Sequence, residues 1–267
     1  MHDLGSTLAS TAAFVALLMV AVWLSSVWKR NASIVDVIWG PGFAGIALVA
    51  FATSDAPLAR RALVTGLALV WGLRLGGYLL RRAWGKPEDF RYQAMRRQWG
   101  ARFWWVSLFT VFALQGALMW IVSLPVQLGQ VPDDPGFGAL GVIGIAVWAV
   151  GISFEAIGDA QLARFKRDPA NKGLVMDRGL WRYTRHPNYF GDACVWWGIA
   201  LVAAESGLGA IGIIGAAVMT VFLRRVSGVT LLEKSLVNRR PGYEDYVART
   251  SPFVPRPPRV PTPPPPA

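Results

Sequence analysis

Long apolar runs alternate with short arginine-rich stretches along nearly the whole chain. A run of about 20 apolar residues is long enough to cross a bilayer as a helix. Seven such runs are read, at roughly 6–28, 34–52, 59–80, 103–124, 137–161, 189–204 and 207–223. The second contains Gly40-Pro41-Gly42, which predicts a break that neighbouring helices must cover. The spacing of Gly72 and Gly76 predicts close helix approach. No internal repeat is visible. The pattern predicts an all-α, polytopic membrane protein with about seven transmembrane helices.

The polar stretches add an orientation. Of 27 Lys and Arg residues, 24 fall in the stretch after the first run, in 81–102, in 162–188 and after 223. The alternate connections hold only Arg60 and Arg61, and Arg74 lies inside the third run. By the positive-inside bias this puts the N-terminus outside and the C-terminus in the cytosol. The first nine residues carry no basic start, so a cleaved signal peptide is not expected. Residues 1–255 read as one membrane domain, and 256–267 as a proline-rich mobile tail.

Composition narrows the chemistry. The chain has 267 residues, 54% hydrophobic and only 16% charged, against about 25% charged in a soluble domain. The formal charge of +11 does not read as a nucleic-acid surface, because the basic residues follow the membrane map. One cysteine, Cys194, and two histidines, His2 and His186, give no disulfide framework and no metal-ligand set.

The basic stretches matter because acids and aromatics are interleaved with them. The third connection contains Gly85-Lys-Pro-Glu-Asp-Phe-Arg-Tyr92, and the fifth ends Asp177-Arg-Gly-Leu-Trp-Arg-Tyr-Thr-Arg-His-Pro-Asn-Tyr-Phe-Gly-Asp192. Guanidinium groups pair with phosphates and rings stack on bases, so an anionic nucleotide and lipid headgroups are both candidate partners here. Lys166, Arg178, Tyr183, Arg185, His186, Tyr189 and Tyr246 are the candidate contacts. Ionisable groups inside spans are the sharper signal, because charge there is costly. Asp36 opens the second span as either a helix cap or a functional acid. Arg74 has Tyr78 four residues on, and Glu155 and Asp159 are four apart on one face of the fifth. Gly136-Phe-Gly-Ala-Leu-Gly141 matches a dinucleotide fingerprint in spacing, but it lacks the preceding strand and enters a membrane helix after Asp133 and Asp134. His186 has no carboxylate partner nearby in sequence, so it reads as positioning or cofactor contact rather than proton transfer.

The run Gly179 to Asp192 resembles the signature of the steroid 5-alpha-reductase-like membrane family, and in particular its bacterial branch described as a domain of unknown function. Val35-Asp-Val-Ile-Trp-Gly40, Trp71 to Arg81, Gly85 to Tyr92 and Pro241-Gly-Tyr-Glu-Asp-Tyr246 support it. Isoprenylcysteine carboxyl methyltransferases share the Arg-His-Pro-x-Tyr-x-Gly pattern. The resemblance implies seven spans, NADPH bound at the cytosolic face of a bacterial inner membrane, and a lipid-like substrate entering from the bilayer. It implies cofactor contacts at Glu155 and Asp159, where the family has an Asn-x-x-x-Asp pair, at Asn188 and Asp192, at Arg74 with Tyr78, and at Trp196. The family's ketone-polarising tyrosine falls on Trp71, and its second-helix acid is matched at best by Asp36.

The function expected from this is NADPH-dependent reduction of a conjugated C=C bond in a hydrophobic substrate. Asp36, Trp71 and Tyr78 would form the reacting end, and Arg74 either joins the cofactor or pairs with Asp36. An S-adenosylmethionine-dependent methyltransferase is the alternative. A transporter or lipid-binding protein is the non-enzymatic reading.

Overall fold

The computed structural model describes residues 4–131, 136–226, 233 and 241–259. Asp133, Asp134 and most of the terminal proline run lie outside them. Among the described residues every regular element is helical. Extended chain pairs at one isolated bridge, Thr184 with Ser251.

The helices are α1 (Leu4–Lys29), α2 (Ile34–Thr53), α3 (Leu58–Ala83), α4 (Phe90–Trp99), α5 (Phe103–Ser107), α6 (Leu114–Val122), α7 (Leu124–Leu128), α8 (Ala139–Arg167), α9 (Pro187–Ala203), α10 (Ile213–Val221) and α11 (Tyr243–Arg249). Among the described residues five stretches are long and apolar enough to cross a membrane: α1, α2, α3, the passage Phe90–Val122 and α8. The chain is a multi-pass integral membrane protein. The last two runs read from the sequence fall on shorter pieces. α9 has 17 residues, and the other run is divided among a 3-10 turn (Gly209–Gly212), α10 and a π stretch (Phe222–Val226).

Two local expectations are corrected. Gly40-Pro41-Gly42 does not break α2, which runs on with Pro41 inside it. A proline ring needs room and leaves the carbonyl four residues back without its usual donor. Gly76 of α3 provides the room: a Cβ there would stand 2.6 Å from Pro41 Cδ and 3.6 Å from the Val37 carbonyl oxygen. The connection 81–102 is also no simple loop. Its second half is α4, and a 3-10 turn, Gly100–Arg102, leads on through α5 and a π stretch, Leu108–Ala113, into α6.

The chain divides into two compact units, one of residues up to 144 with 199–215, the other of 145–198 with the residues from 216 on. In the first, α2 and α3 touch backbone to backbone. A Cβ at Gly40 would overlap the Gly72 carbonyl oxygen and come within 2.8 Å of Gly76 N. Phe43, Ile46, Val64 and Trp71 fill the core beside this contact. A buried polar layer lies around α7. Thr11 donates to Gln127 Oε1 at 2.6 Å, Gln127 donates to Ser123 Oγ at 2.7 Å, and Thr65 donates to Gln130 Oε1 at 3.2 Å. Arg60 donates to the carbonyls of Gly129 and Val202 at 3.0 Å and Ala203 at 3.3 Å, and lies 3.6 Å from Glu205.

In the second unit α8 and α9 meet through glycine. A Cβ at Gly151 would stand 2.6 Å from the Gly191 carbonyl, and one at Gly158 would stand 3.1 Å from the Pro187 ring. After α11 the chain runs beside residues 183–185. Arg185 N donates to Ser251 O at 2.9 Å, Thr184 Oγ1 to Phe253 O at 2.8 Å, and Arg256 N to Tyr183 O at 2.9 Å.

Candidate functional site

Besides the layer around α7, polar side chains among the described residues gather in each of the two units. In the first unit the segment before α4 straps onto the start of α2. Ala32 N donates to Glu88 Oε1 at 2.7 Å, and Asp89 N donates to Ser33 Oγ at 2.6 Å. Arg96 forks onto Glu88, with contacts of 3.1 and 2.9 Å. One turn of helix sets Arg91 and Tyr92 facing Asp36: Arg91 Nη2 is 2.8 Å from Oδ2, and the Tyr92 hydroxyl is 2.7 Å from Oδ1. Behind Tyr92, Gln115 Nε2 donates to its oxygen at 3.3 Å, and Trp39 Nε1 donates to Gln115 Oε1 at 2.5 Å. Gln115 lies two residues beyond the π stretch, a feature that shifts side-chain register along a helix and recurs at functional sites.

Both oxygens of Asp36 therefore act as acceptors, and its charge partner is Arg91 rather than Arg74. The Arg74 guanidinium lies over the Tyr78 ring, 5.8 Å from its centre. Trp71 is fully buried and packs edge-on against Phe43 at 5.5 Å, and Trp39 packs tilted against Phe43 at the same spacing. This aromatic row leads from the polar cluster into the apolar core of the unit. At the edge, burial would raise the Asp89 carboxyl, but hydrogen bonds from Arg91 and its charge outweigh burial and hold it below the ordinary value.

In the second unit Glu155 and Asp159 are both buried on α8. They sit where the glycine contact brings the start of α9 close, and Asn188 Nδ2 reaches Asp159 Oδ1 at 3.5 Å. Asp192 and Trp196 follow along α9, both buried. The preceding turn is fixed by Trp181, whose Nε1 donates to Gly158 O at 3.0 Å, and by Gln161, which accepts from Leu180 N at 3.0 Å. Tyr246 lies in this support, donating to Trp181 O at 2.5 Å.

Arg185 and His186 converge on Glu233, a residue that the sequence reading did not single out. Arg185 Nε and Nη2 fork onto its carboxylate at 2.7 and 3.1 Å, and His186 Nε2 lies 3.1 Å from Oε1. Arg185 Nη1 caps the end of α11 at the carbonyls of Val247 (2.9 Å) and Thr250 (2.5 Å). The Arg185 donors are thus directed into the chain itself. His186 stacks flat on Tyr189 with 5.3 Å between ring centres. Burial alone would raise the Glu233 carboxyl; hydrogen bonds from His186 and Arg185 and their charges reverse this and hold it below the ordinary range. Burial, then the Glu233 charge, pushes the Tyr243 hydroxyl up to about 12. Lys166, Arg178 and Tyr183 carry exposed side chains.

The structure thus brings Asp159 to Asn188, and Arg185 and Tyr189 to His186. It gives Asp36 partners, Arg91 and Tyr92, that lie 55 and 56 positions away. The sole legible signal for these was acids and aromatics among the arginines of 85–92. The glycine run at 136–141 also finds its anion. Gly138 N and Gly141 N donate to Glu205 Oε1 at 2.6 and 2.8 Å, so a carboxylate of the chain occupies the start of α8, the place where helix N–H groups favour negative charge.

These features sit in a stretch that matches a family model, described as "Protein of unknown function (DUF1295)", over residues 22–250. The chain belongs to that family. It is also similar to an uncharacterized protein of Schizosaccharomyces pombe (strain 972 / ATCC 24843), with 24% identity over 265 residues covering 88% of this chain and 76% of the relative. No solved structure matches.

Proposed function

We propose that this protein is an NADPH-dependent membrane reductase acting on a conjugated C=C bond of a hydrophobic, lipid- or steroid-like substrate drawn from the bilayer. The observation that carries the reading is the pair of buried Asp159 with half-buried Asn188, beside buried Glu155 and Asp192, where α8 meets the stretch that resembles the steroid 5-alpha-reductase-like signature. The donor set fits a nicotinamide nucleotide. Buried carboxylates and an amide match amide and hydroxyl groups, and exposed cations match phosphates. Asp159 and Asn188 would hold the carboxamide end, with Lys166 and Arg178 on the phosphates. Bound there, the cofactor would supply a hydride. On the substrate side, Tyr78, or Asp36 in its protonated form, would support charge on a carbonyl oxygen, with Trp71 as an apolar wall. Seven crossings with a cytosolic C-terminus in a bacterial inner membrane belong to the same reading, and a C-terminal fluorescent-protein fusion should be bright while a phosphatase fusion is silent.

Detergent-purified protein should melt at a higher temperature with NADPH, and Asp159→Ala and Asn188→Ala should each weaken NADPH binding by roughly 1–3 kcal/mol, the cost of an unpartnered buried group. Stabilisation by S-adenosylmethionine and not by NADPH would replace the reading with the methyltransferase that shares the Arg-His-Pro pattern. Stabilisation by neither would favour a transporter or lipid-binding protein. Asp36→Asn should leave NADPH binding intact and lower turnover of an enone found by screening NADPH oxidation.

A further inference from the structure

The segment between α3 and α5 lies at one membrane face, because α3 ends one crossing and the uncharged part of the long passage, from Phe103 to Val122, makes the next. The short link between α1 and α2 lies at the same face, since Ala32 and Ser33 bond directly to Glu88 and Asp89. Within this segment the two acids are occupied: Glu88 by Arg96, and Asp89 by Arg91. That leaves Arg81 and Arg82 in the last turn of α3, with Lys86, Arg97 and Arg102 after it, all exposed and, among the described residues, none with an acid at ion-pair distance. Large aromatic side chains are exposed among them: Trp84 is 77% exposed, Phe90 62% and Trp104 55%. α4 itself has two faces. Tyr92 is buried against Asp36, and Phe90, Ala94, Arg97 and Gln98 point outward at the i, i+4, i+7 spacing of one helical stripe. Indole and phenyl rings with adjacent cations are the chemistry of a headgroup layer, the rings at the polar–apolar boundary and the cations on phosphates.

We propose that the outward face of α4 with its flanking turns is a docking surface for anionic phospholipid headgroups, seated on the leaflet that these loops face. The proposal does not depend on the reductase reading. The internal ion pairs make it specific: they hold α4 rigidly on α2 and consume every nearby acid, so the remaining charge is one-signed and turned outward. Each exposed cation near an anionic leaflet contributes about a five-fold gain in binding.

The test uses the full chain in nanodiscs of phosphatidylglycerol or phosphatidylcholine. The expected result is a higher melting temperature in phosphatidylglycerol, with the difference shrinking at high salt, and phosphatidylglycerol retained through detergent purification by mass spectrometry. Replacing Arg81, Lys86, Arg97 and Arg102 by Gln should lower the lipid preference by roughly ten-fold or more, while exchanging Arg for Lys and Lys for Arg at the same positions should keep it. If the neutralised variant does not fold, Lys86→Gln and Arg97→Gln singly, and the wild-type salt titration, serve instead. Equal stability and equal lipid retention in the two bilayers would overturn the proposal. So would an unchanged preference in the neutral variants, or equal stabilisation by soluble glycerol phosphate, which would mark a small-anion site instead.

Discussion

Arg60 sets a measurable energy. It is 6% exposed at the start of α3, and its guanidinium donates to the carbonyls of Gly129, Val202 and Ala203 while facing Glu205 at 3.6 Å. Val202 and Ala203 end α9, where carbonyls lack helical partners and a cation is favoured. Arg60→Ala would leave these carbonyls buried without this donor, and the Glu205 carboxylate would keep its N–H donors but lose its counter-charge. Breaking one side of a buried pair costs about 3–5 kcal/mol. At roughly 2–4 °C per kcal/mol for a chain of this size, the melting temperature should fall by roughly 6–20 °C. Tryptophan fluorescence in detergent reads it. Glu205→Gln keeps an acceptor for Gly138 and Gly141 and removes only the charge, so it should cost less, about 1–2 kcal/mol. The double variant should fall short of the sum by about 0.5–3 kcal/mol, as expected of residues in contact. A melting temperature for Arg60→Ala within about 2 °C of wild type would refute the view that this guanidinium holds the carbonyl layer.

Glycine contacts give a sharper contrast. Gly40→Ala and Gly72→Ala force α2 and α3 apart and should each cost about 1–3 kcal/mol by overpacking, whereas Gly66→Ala and Gly77→Ala, with nothing within 4 Å, should be neutral or stabilising in the same melt. The Glu233 carboxyl is held below its ordinary value of 4.5, so its contribution to stability is complete above that pH and is lost as pH falls through the lower folded value. The melting-temperature gap between wild type and Glu233→Gln should therefore be flat above about pH 5.5 and close below the ordinary value, and a gap that widens in acid would contradict the Arg185–His186 pairing.

Local physics was enough to make the helical, membrane-crossing character legible, because apolar length and backbone satisfaction leave few alternatives in a bilayer. The pairing of Gly72 and Gly76 with close approach was legible for the same reason. Local physics misread Pro41, since whether a proline breaks a helix depends on what lies against it, and Gly76 lies 35 positions away on α3. It also misread 81–102, because arginines that look like loop charge are divided by the fold into ion-paired (Arg91, Arg96) and outward-facing ones. The clusters themselves needed tertiary structure. Asp36 with Arg91 and Tyr92, Arg60 with Glu205, and Arg185 and His186 with Glu233 are each tens of residues or more apart. A charge read along the chain carries its cost of burial but not the name of its partner, and only the packing of the helices supplies that.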